Sequence, residues 1–267
     1  MSLAAVDACR WSSKSIPCAP YVTSLPWISH YGCYYVAHGD DITSDSNGED
    51  CYRYVKAAGR FAVVKRTPGI STTDLVGRML LCTKSHFIRS LSDTLDGIEG
   101  SGDPEERHKT GTLMRKMLAD YASDDTGTQQ GCIVLSWSPA QAKPTDEATG
   151  TNEKFKTLVA GKAPRPGQRI IYVDGGFDLF SSGHIEFLRQ VVLKENVRGR
   201  ANGLDEDDSG QHRFAYIVAG VHDDRVINKW KGMNHPIMNI FERGLCVLQC
   251  RVSDMVSMQN KRVINFH

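Results

Sequence analysis

Hydrophobic and polar positions fall into blocks along the chain, and the apolar blocks are short. Runs that read as buried strands occur at Tyr34-Tyr35-Val36-Ala37 and Phe61-Ala62-Val63-Val64, then again at Arg169-Ile170-Ile171-Tyr172-Val173 and from Tyr216 to Val221. Each is followed by loop residues and then by helical pattern. After Val173 the apolar positions Ile185, Leu188, Val191 and Val192 recur at helical spacing, and Ile237 to Cys250 predicts a second helix. Strands alternating with helices predict an α/β fold with parallel sheets and flanking helices, whose ligands sit beyond the carboxyl ends of the strands.

The polar blocks divide this pattern. From Ser92 to about Gly131 the residues are mostly Ser, Asp, Gly, Glu, Lys and Thr, relieved by a helix-like run from Leu113 to Tyr121. Ser138 to Arg169 carries Pro139, Pro144, Pro164 and Pro166, which favours an extended tether, and Cys132-Ile133-Val134-Leu135 between them reads as one strand. Gly199 to Arg213 reads as a solvated loop. The predicted organisation is therefore two lobes, residues 1–88 and 169–267, joined by a flexible polar linker over 89–168 with a short helix and a strand at 132–137.

Composition removes several classes of function. With 40% hydrophobic residues the chain can build a core, and 32 Lys+Arg against 31 Asp+Glu leave no net field to select nucleic acid or a membrane surface. The eight cysteines show no C-x-x-C pair and no Cys/His cluster at zinc spacing. No apolar run approaches the roughly 18 residues of a membrane span, and Asp7, Arg10 and Lys14 interrupt any signal-like stretch. A reduced cytoplasmic protein without a transmembrane segment or nucleic-acid partner is expected.

Two stretches carry candidate chemistry. In Val173-Asp-Gly-Gly-Phe-Asp-Leu-Phe-Ser-Ser-Gly-His184 a strand runs into glycines and a helix then begins near Gly183. Backbone amides and the helix dipole would there face an anion such as phosphate, although a plain structural turn fits the same residues. In Lys65-Arg-Thr-Pro-Gly-Ile-Ser-Thr-Thr-Asp-Leu75, Ser71 and Asp74 are spaced as a helix cap. Arg66 and the hydroxyls of Ser71, Thr72 and Thr73 add a second anion site at that helix mouth.

These segments resemble the cytidylyltransferases that make CDP-alcohols. Arg66-Thr-x-Gly-x-Ser-Thr-Thr73, including Thr67 and Gly69, resembles one family signature. Gly175-x-Phe-Asp-Leu-x-x-x-Gly-His184, with Phe177, Asp178, Ser181 and Gly183, resembles the CTP-binding strand-to-helix motif. His38-Gly39-Asp40-Asp41, Lys229-Trp-Lys231-Gly232 and Asn234-x-Pro-Ile-Met-Asn-Ile-x-Glu-Arg243 extend the match over nearly all of both lobes. The resemblance implies a Rossmann-like nucleotidyltransferase fold and transfer of CMP from CTP to an alcohol phosphate, with Mg2+ assisting and no organic cofactor. Two-lobed members of the family act on phosphoethanolamine. The phosphocholine branch instead carries a lipid-sensing amphipathic tail, and the glycerol-3-phosphate branch has a single small domain.

By that resemblance His184 donates to the phosphates, Lys229 and Lys231, read as loop residues, neutralise the triphosphate, and Arg66 and Arg243 clamp phosphate oxygens. The plainer readings are a surface ion pair for Arg243, solvated lysines, turn residues for Asp40 and Asp41, and a structural histidine for His222 at the end of its strand.

The chain also departs from the family. The expected H-x-G-H reads Ser181-Ser-Gly-His184, so a hydroxyl stands where one imidazole is expected, and a hydroxyl carries no positive charge. Val6-Asp-Ala-Cys9-Arg10 resembles Val247-Leu-Gln-Cys250-Arg251 at an offset of 241 positions. On that offset the chain reads as the back half of one cytidylyltransferase domain joined to the front half of the next. Two expectations follow: exposed edges completed by self-association, or pairing of the halves with Arg66 facing His184. The alternative to catalysis is a non-catalytic relative that retains a nucleotide-binding surface.

Overall fold

A computed structural model describes residues 2–65, 67, 71–138, 154–202, 215–250 and 254–260. In chain order its elements are α1 (Ser2–Ala8), α2 (Leu25–His30), β1 (Val36–His38), α3 (Arg53–Ala57), β2 (Phe61–Val63), α4 (Thr72–Leu81), α5 (Leu91–Leu95) and α6 (Pro104–Tyr121). They continue with β3 (Ile133–Ser138), β4 (Lys154–Val159), β5 (Arg169–Gly175), α7 (Ser182–Ala201), β6 (Ala215–His222), α8 (Asp224–Lys231), α9 (Ile240–Leu248) and β7 (Met255–Asn260). The chain divides into two units, one of Ile16–Asp74 and one of Met1–Ser15 with Leu75–His267.

The larger unit is built on a five-stranded sheet in the order β4-β3-β7-β6-β5, in which β3, β7, β6 and β5 run parallel and only β4 is antiparallel. A strand inside such a sheet has both faces covered, so it reads as a continuous apolar run instead of an alternation. β6 does so: Ala215, Tyr216, Ile217, Ala219 and Val221 are all buried. β5 lies at the sheet edge, with Ile170 and Tyr172 exposed. Gly175 stands opposite Val221, so the carboxyl ends of β5 and β6 finish side by side.

Helices close the sheet through stripes that the sequence pattern marks. α9 begins at an Asn239–Glu242 capping box and buries Ile240, Phe241, Leu245, Val247 and Leu248. With Leu188 of α7, Leu118 of α6, Val134, Ile217 and Met258 they form one continuous core. Burying each such side chain contributes roughly 1.5–3 kcal/mol before the entropy of ordering it is counted.

The stretch 89–168 is not a tether among its described residues. It supplies α5, α6, β3 and β4, and β3 sits inside the sheet between β4 and β7. The division of the chain therefore differs from boundaries at 88 and 168. α6 runs over 18 residues where Leu113 to Tyr121 was expected, because Asp103 and Glu106 form a capping box and Pro104 starts the helix. Its buried residues are only Gly111, Met117 and Leu118, which leaves little apolar periodicity to read. Gly111 is where α5 and α6 touch: a Cβ there would lie 2.4 Å from the Leu95 carbonyl oxygen.

The smaller unit holds the two-stranded parallel sheet β1-β2, with Val36 opposite Phe61 and His38 opposite Val63. Among its described residues Ile28, Cys51 and Val55 are the buried apolar ones, and the Tyr52 ring packs between those of His38 and Phe61. Among the described residues no helix is long and apolar enough to cross a membrane.

Candidate functional site

In the larger unit the strand-to-helix connection from β5 to α7 takes an unusual path. Phe177 and Leu179, at φ 50 and 47, hold left-handed backbone that non-glycine residues rarely adopt, and they bracket Asp178. The Phe177 side chain is buried and helps to fix the turn. Asp178 is fixed from the other side: its carboxylate accepts the backbone N–H groups of Ile237 and Met238, both at 2.9 Å. Asp178 therefore ties the turn to the segment that precedes α9, and its side chain is spent internally.

His184 stands in the first turn of α7. Its Nδ1 accepts the backbone N–H of Ser181 at 3.1 Å, which satisfies one of the orphan donors of the helix start. With Nδ1 an acceptor, the neutral ring carries its proton on Nε2. The ring stacks on Phe180, centroids 5.4 Å apart and 12° from parallel, and Phe177 lies 5.8 Å away. Burial, and then the charge of Lys231, lower the His184 pKa below its ordinary value. At neutral pH the group is a neutral, oriented N–H donor.

Lys229 and Lys231 lie in the last turn of α8, not in a loop. Side chains two apart on a helix point to different sides. Lys231 accordingly acts on His184, while the Lys229 ammonium lies 5.8 Å from the Trp230 ring centroid. Removing the Lys231 ammonium should move the His184 titration midpoint upward. The imidazole C–H resonance of Lys231→Ala, followed by NMR against pH, measures this, and an unmoved midpoint would break the pairing of the two groups.

Arg243 has neither expected role. It is completely buried with Asp224, whose Oδ1 accepts Nη2 at 2.6 Å. Nη1 donates to the Gly176 carbonyl at 2.5 Å, Nη2 also to that of His222 at 2.7 Å, and Nε to that of Met238 at 3.0 Å. Neither a phosphate clamp nor a surface pair fits these bonds. One guanidinium ties together the glycine turn, the end of β6, the start of α8 and the segment before α9. The adjacent Glu242 instead takes the bidentate pair, from Arg78 of α4 at 2.8 and 2.9 Å.

Several site residues carried no usable local signal. Phe180 supports the imidazole, Asp224 partners Arg243, and Asn228 donates to the carbonyls of Met233 and His235 at 3.0 and 2.7 Å, holding the chain after α8. Asp223, the N-cap of α8, is the exception, since a cap residue before a helix is a local signal. His222 Nε2 lies 3.9 Å from Asp174 Oδ2 at the shared carboxyl edge of β5 and β6.

The smaller unit carries the other predicted residues. Gly39, Asp40 and Asp41 follow β1 and line an open cavity of about 330 Å3 with Ile42, Lys56, Gly59, Phe61 and Val63. Lys56 pairs with Asp50 at 2.5 Å. His38 packs its ring on Tyr52 at 4.6 Å. Ser71 caps α4 by accepting the Asp74 N–H at 3.4 Å, and Thr67, Thr72 and Thr73 are exposed. Arg66 and Gly69 lie outside the described residues.

Residues 3–78 match the cytidylyltransferase-like family model. Across 257 residues the chain is 37% identical to the ethanolamine-phosphate cytidylyltransferase of Mus musculus, covering 94% of this chain and 55% of the relative. The Dictyostelium discoideum ethanolamine-phosphate cytidylyltransferase is 36% identical over 252 residues, 94% of this chain and 56% of the relative. Choline-phosphate cytidylyltransferase A of Rattus norvegicus is 34% identical over only 76 residues, 28% of this chain and 21% of the relative. The chain spans about half the length of the ethanolamine-phosphate relatives.

Proposed function

Because the chain belongs to the cytidylyltransferase-like family, we propose that the protein transfers CMP from CTP to phosphoethanolamine in the cytoplasm, releasing pyrophosphate and CDP-ethanolamine for phosphatidylethanolamine synthesis. The observation that carries this reading is the His184 ring, locked by Phe180 and Ser181 as an Nε2–H donor at the mouth of α7 with Lys231 acting on it.

In the reaction a phosphate oxygen of phosphoethanolamine forms a bond to the α-phosphorus of CTP as the bond to pyrophosphate breaks. Little covalent chemistry falls to the protein, which has to align two anions and stabilise charge spreading over phosphate oxygens. The first N–H groups of α7 and the His184 Nε2–H are preorganised donors for those oxygens, and Lys231 adds a full positive charge. Arg243 and Asp178 hold the turn in that geometry through backbone groups.

Mg2+ is expected to enter with the triphosphate; among the described residues no group of three or more His, Cys, Asp or Glu could hold a metal ion. When bound there, Mg2+ neutralises phosphate charge.

Ser181 favours a second reading, nucleotide binding without turnover, because it removes a cation from the motif. Incubation with CTP, phosphoethanolamine and Mg2+, with CDP-ethanolamine measured by chromatography, separates the two. Product formed supports transfer. CTP binding without product supports the second reading, and no binding by a folded chain overturns both.

A further inference from the structure

We propose that Cys9 and Cys250 form a reversible intrachain disulfide, a redox modification site that fastens the N-terminal arm to the end of α9. The two residues are partners in an antiparallel bridge within the larger unit. The Arg10 N–H donates to the Gln249 carbonyl at 3.0 Å, so the backbone bond flanks the bridge instead of joining the two cysteines. That marks Cys9 and Cys250 as a non-hydrogen-bonded pair, the register in which opposite Cα atoms approach to about 4.5 Å and side chains are closest. A disulfide takes Cα separations of about 4.4–6.8 Å, a range that includes the spacing of such a pair.

The pair is held in this register. The Arg10 guanidinium is buried and donates to the Ser123 carbonyl at 2.7 Å, to Cys132 Sγ at 3.1 Å and to the Cys250 carbonyl at 3.4 Å. The bridge also joins cysteines from two stretches of similar sequence, Val6 to Arg10 and the one that includes Val247 to Cys250.

Exposure orders the chemistry. Both residues carry thiols, Cys9 is half-buried and Cys250 is buried. With oxidised glutathione as the oxidant, the Cys9 thiolate attacks one glutathione sulfur, forming a mixed disulfide and releasing one reduced glutathione. The Cys250 thiolate then attacks the Cys9 sulfur and expels the second. Two thiols are oxidised, the glutathione disulfide is reduced, and the two thiol protons end on the two glutathione thiols. In a reducing compartment such a bond is transient and follows the glutathione poise.

The test equilibrates the full chain over a range of reduced-to-oxidised glutathione ratios, quenches with an alkylating agent and maps peptides by mass spectrometry. A Cys9–Cys250 peptide that grows with oxidation, vanishes with dithiothreitol and is absent from Cys9→Ser is expected. The oxidised wild type should also melt several degrees higher than the reduced protein, with no such rise in Cys9→Ser, whose half-exposed position keeps the fold. Glutathione retained on Cys9 without transfer, a bond from Cys9 to Cys132 or Cys246, or two unmodified thiols at the most oxidising ratio would each overturn the proposal.

Discussion

His184→Ala is expected to lower kcat/KM for CTP by about 10²–10³-fold, the effect of removing one preorganised donor from a site where charge develops. Two effects of the substitution have to be separated. The ring supplies the Nε2–H donor, and its Nδ1 also accepts the Ser181 N–H at the start of α7. Losing the second interaction alone costs about 0.5–2 kcal/mol of helix stability and leaves the chemistry in place. His184→Asn divides them, since its side-chain oxygen replaces the capping acceptor without restoring the ring donor. If His184→Asn melts like wild type and is as slow as His184→Ala, the donor carries the effect. Wild-type turnover in His184→Asn would refute the role assigned to the imidazole.

The parts of this site that were legible in sequence are those that depend on neighbours along the chain. A strand ending in Gly175-Gly176 and a helix opening at Ser182 are local patterns, and so is the Asn239–Glu242 capping box of α9. β6 was readable because a strand covered on both faces keeps an unbroken apolar run. α6 also had a local signal in Asp103-Pro104-x-Glu106, but its three buried residues gave no stripe, so the cap was hidden in a polar block.

The roles of Asp178 and Arg243 were not legible, because their partners are backbone groups on distant segments. The Asp178 carboxylate reaches N–H groups at 237 and 238, and Arg243 reaches carbonyls at 176, 222 and 238. Backbone partners leave no trace in side-chain identity. Both residues read equally well as ligands, and only their burial distinguishes a scaffold group from a binding group. The lysines fail for a related reason. Gly232 marks a helix end, but the sequence does not say that α8 continues through Lys231, which is what sends Lys229 and Lys231 to different sides.

Arg243→Met is expected to destabilise the fold by about 3–5 kcal/mol, because it leaves the Asp224 carboxylate buried without its cation. Asp224→Leu combined with Arg243→Met removes both charges and should recover much of that loss in urea unfolding, while CTP turnover stays low because Gly176 and His222 have lost their common donor. A stable double variant with wild-type turnover would reduce Arg243 to a packing residue. The pair also predicts a pH dependence. Burial raises the Asp224 carboxyl from its ordinary 3.8 to about 6, against the opposing pull of Arg243 and the Ile88 N–H. Between those values the folded chain holds a proton that the unfolded chain has released. The Asp224 contribution therefore favours the fold below about pH 4 and is lost as pH rises toward 6, by on the order of 3 kcal/mol. Asp224→Asn, although less stable than wild type, should lack this loss, so the two stability curves converge as pH rises from 4 to 6. Parallel curves across that window would show that Asp224 stays ionised throughout and that its pairing with Arg243 outweighs the cost of burial.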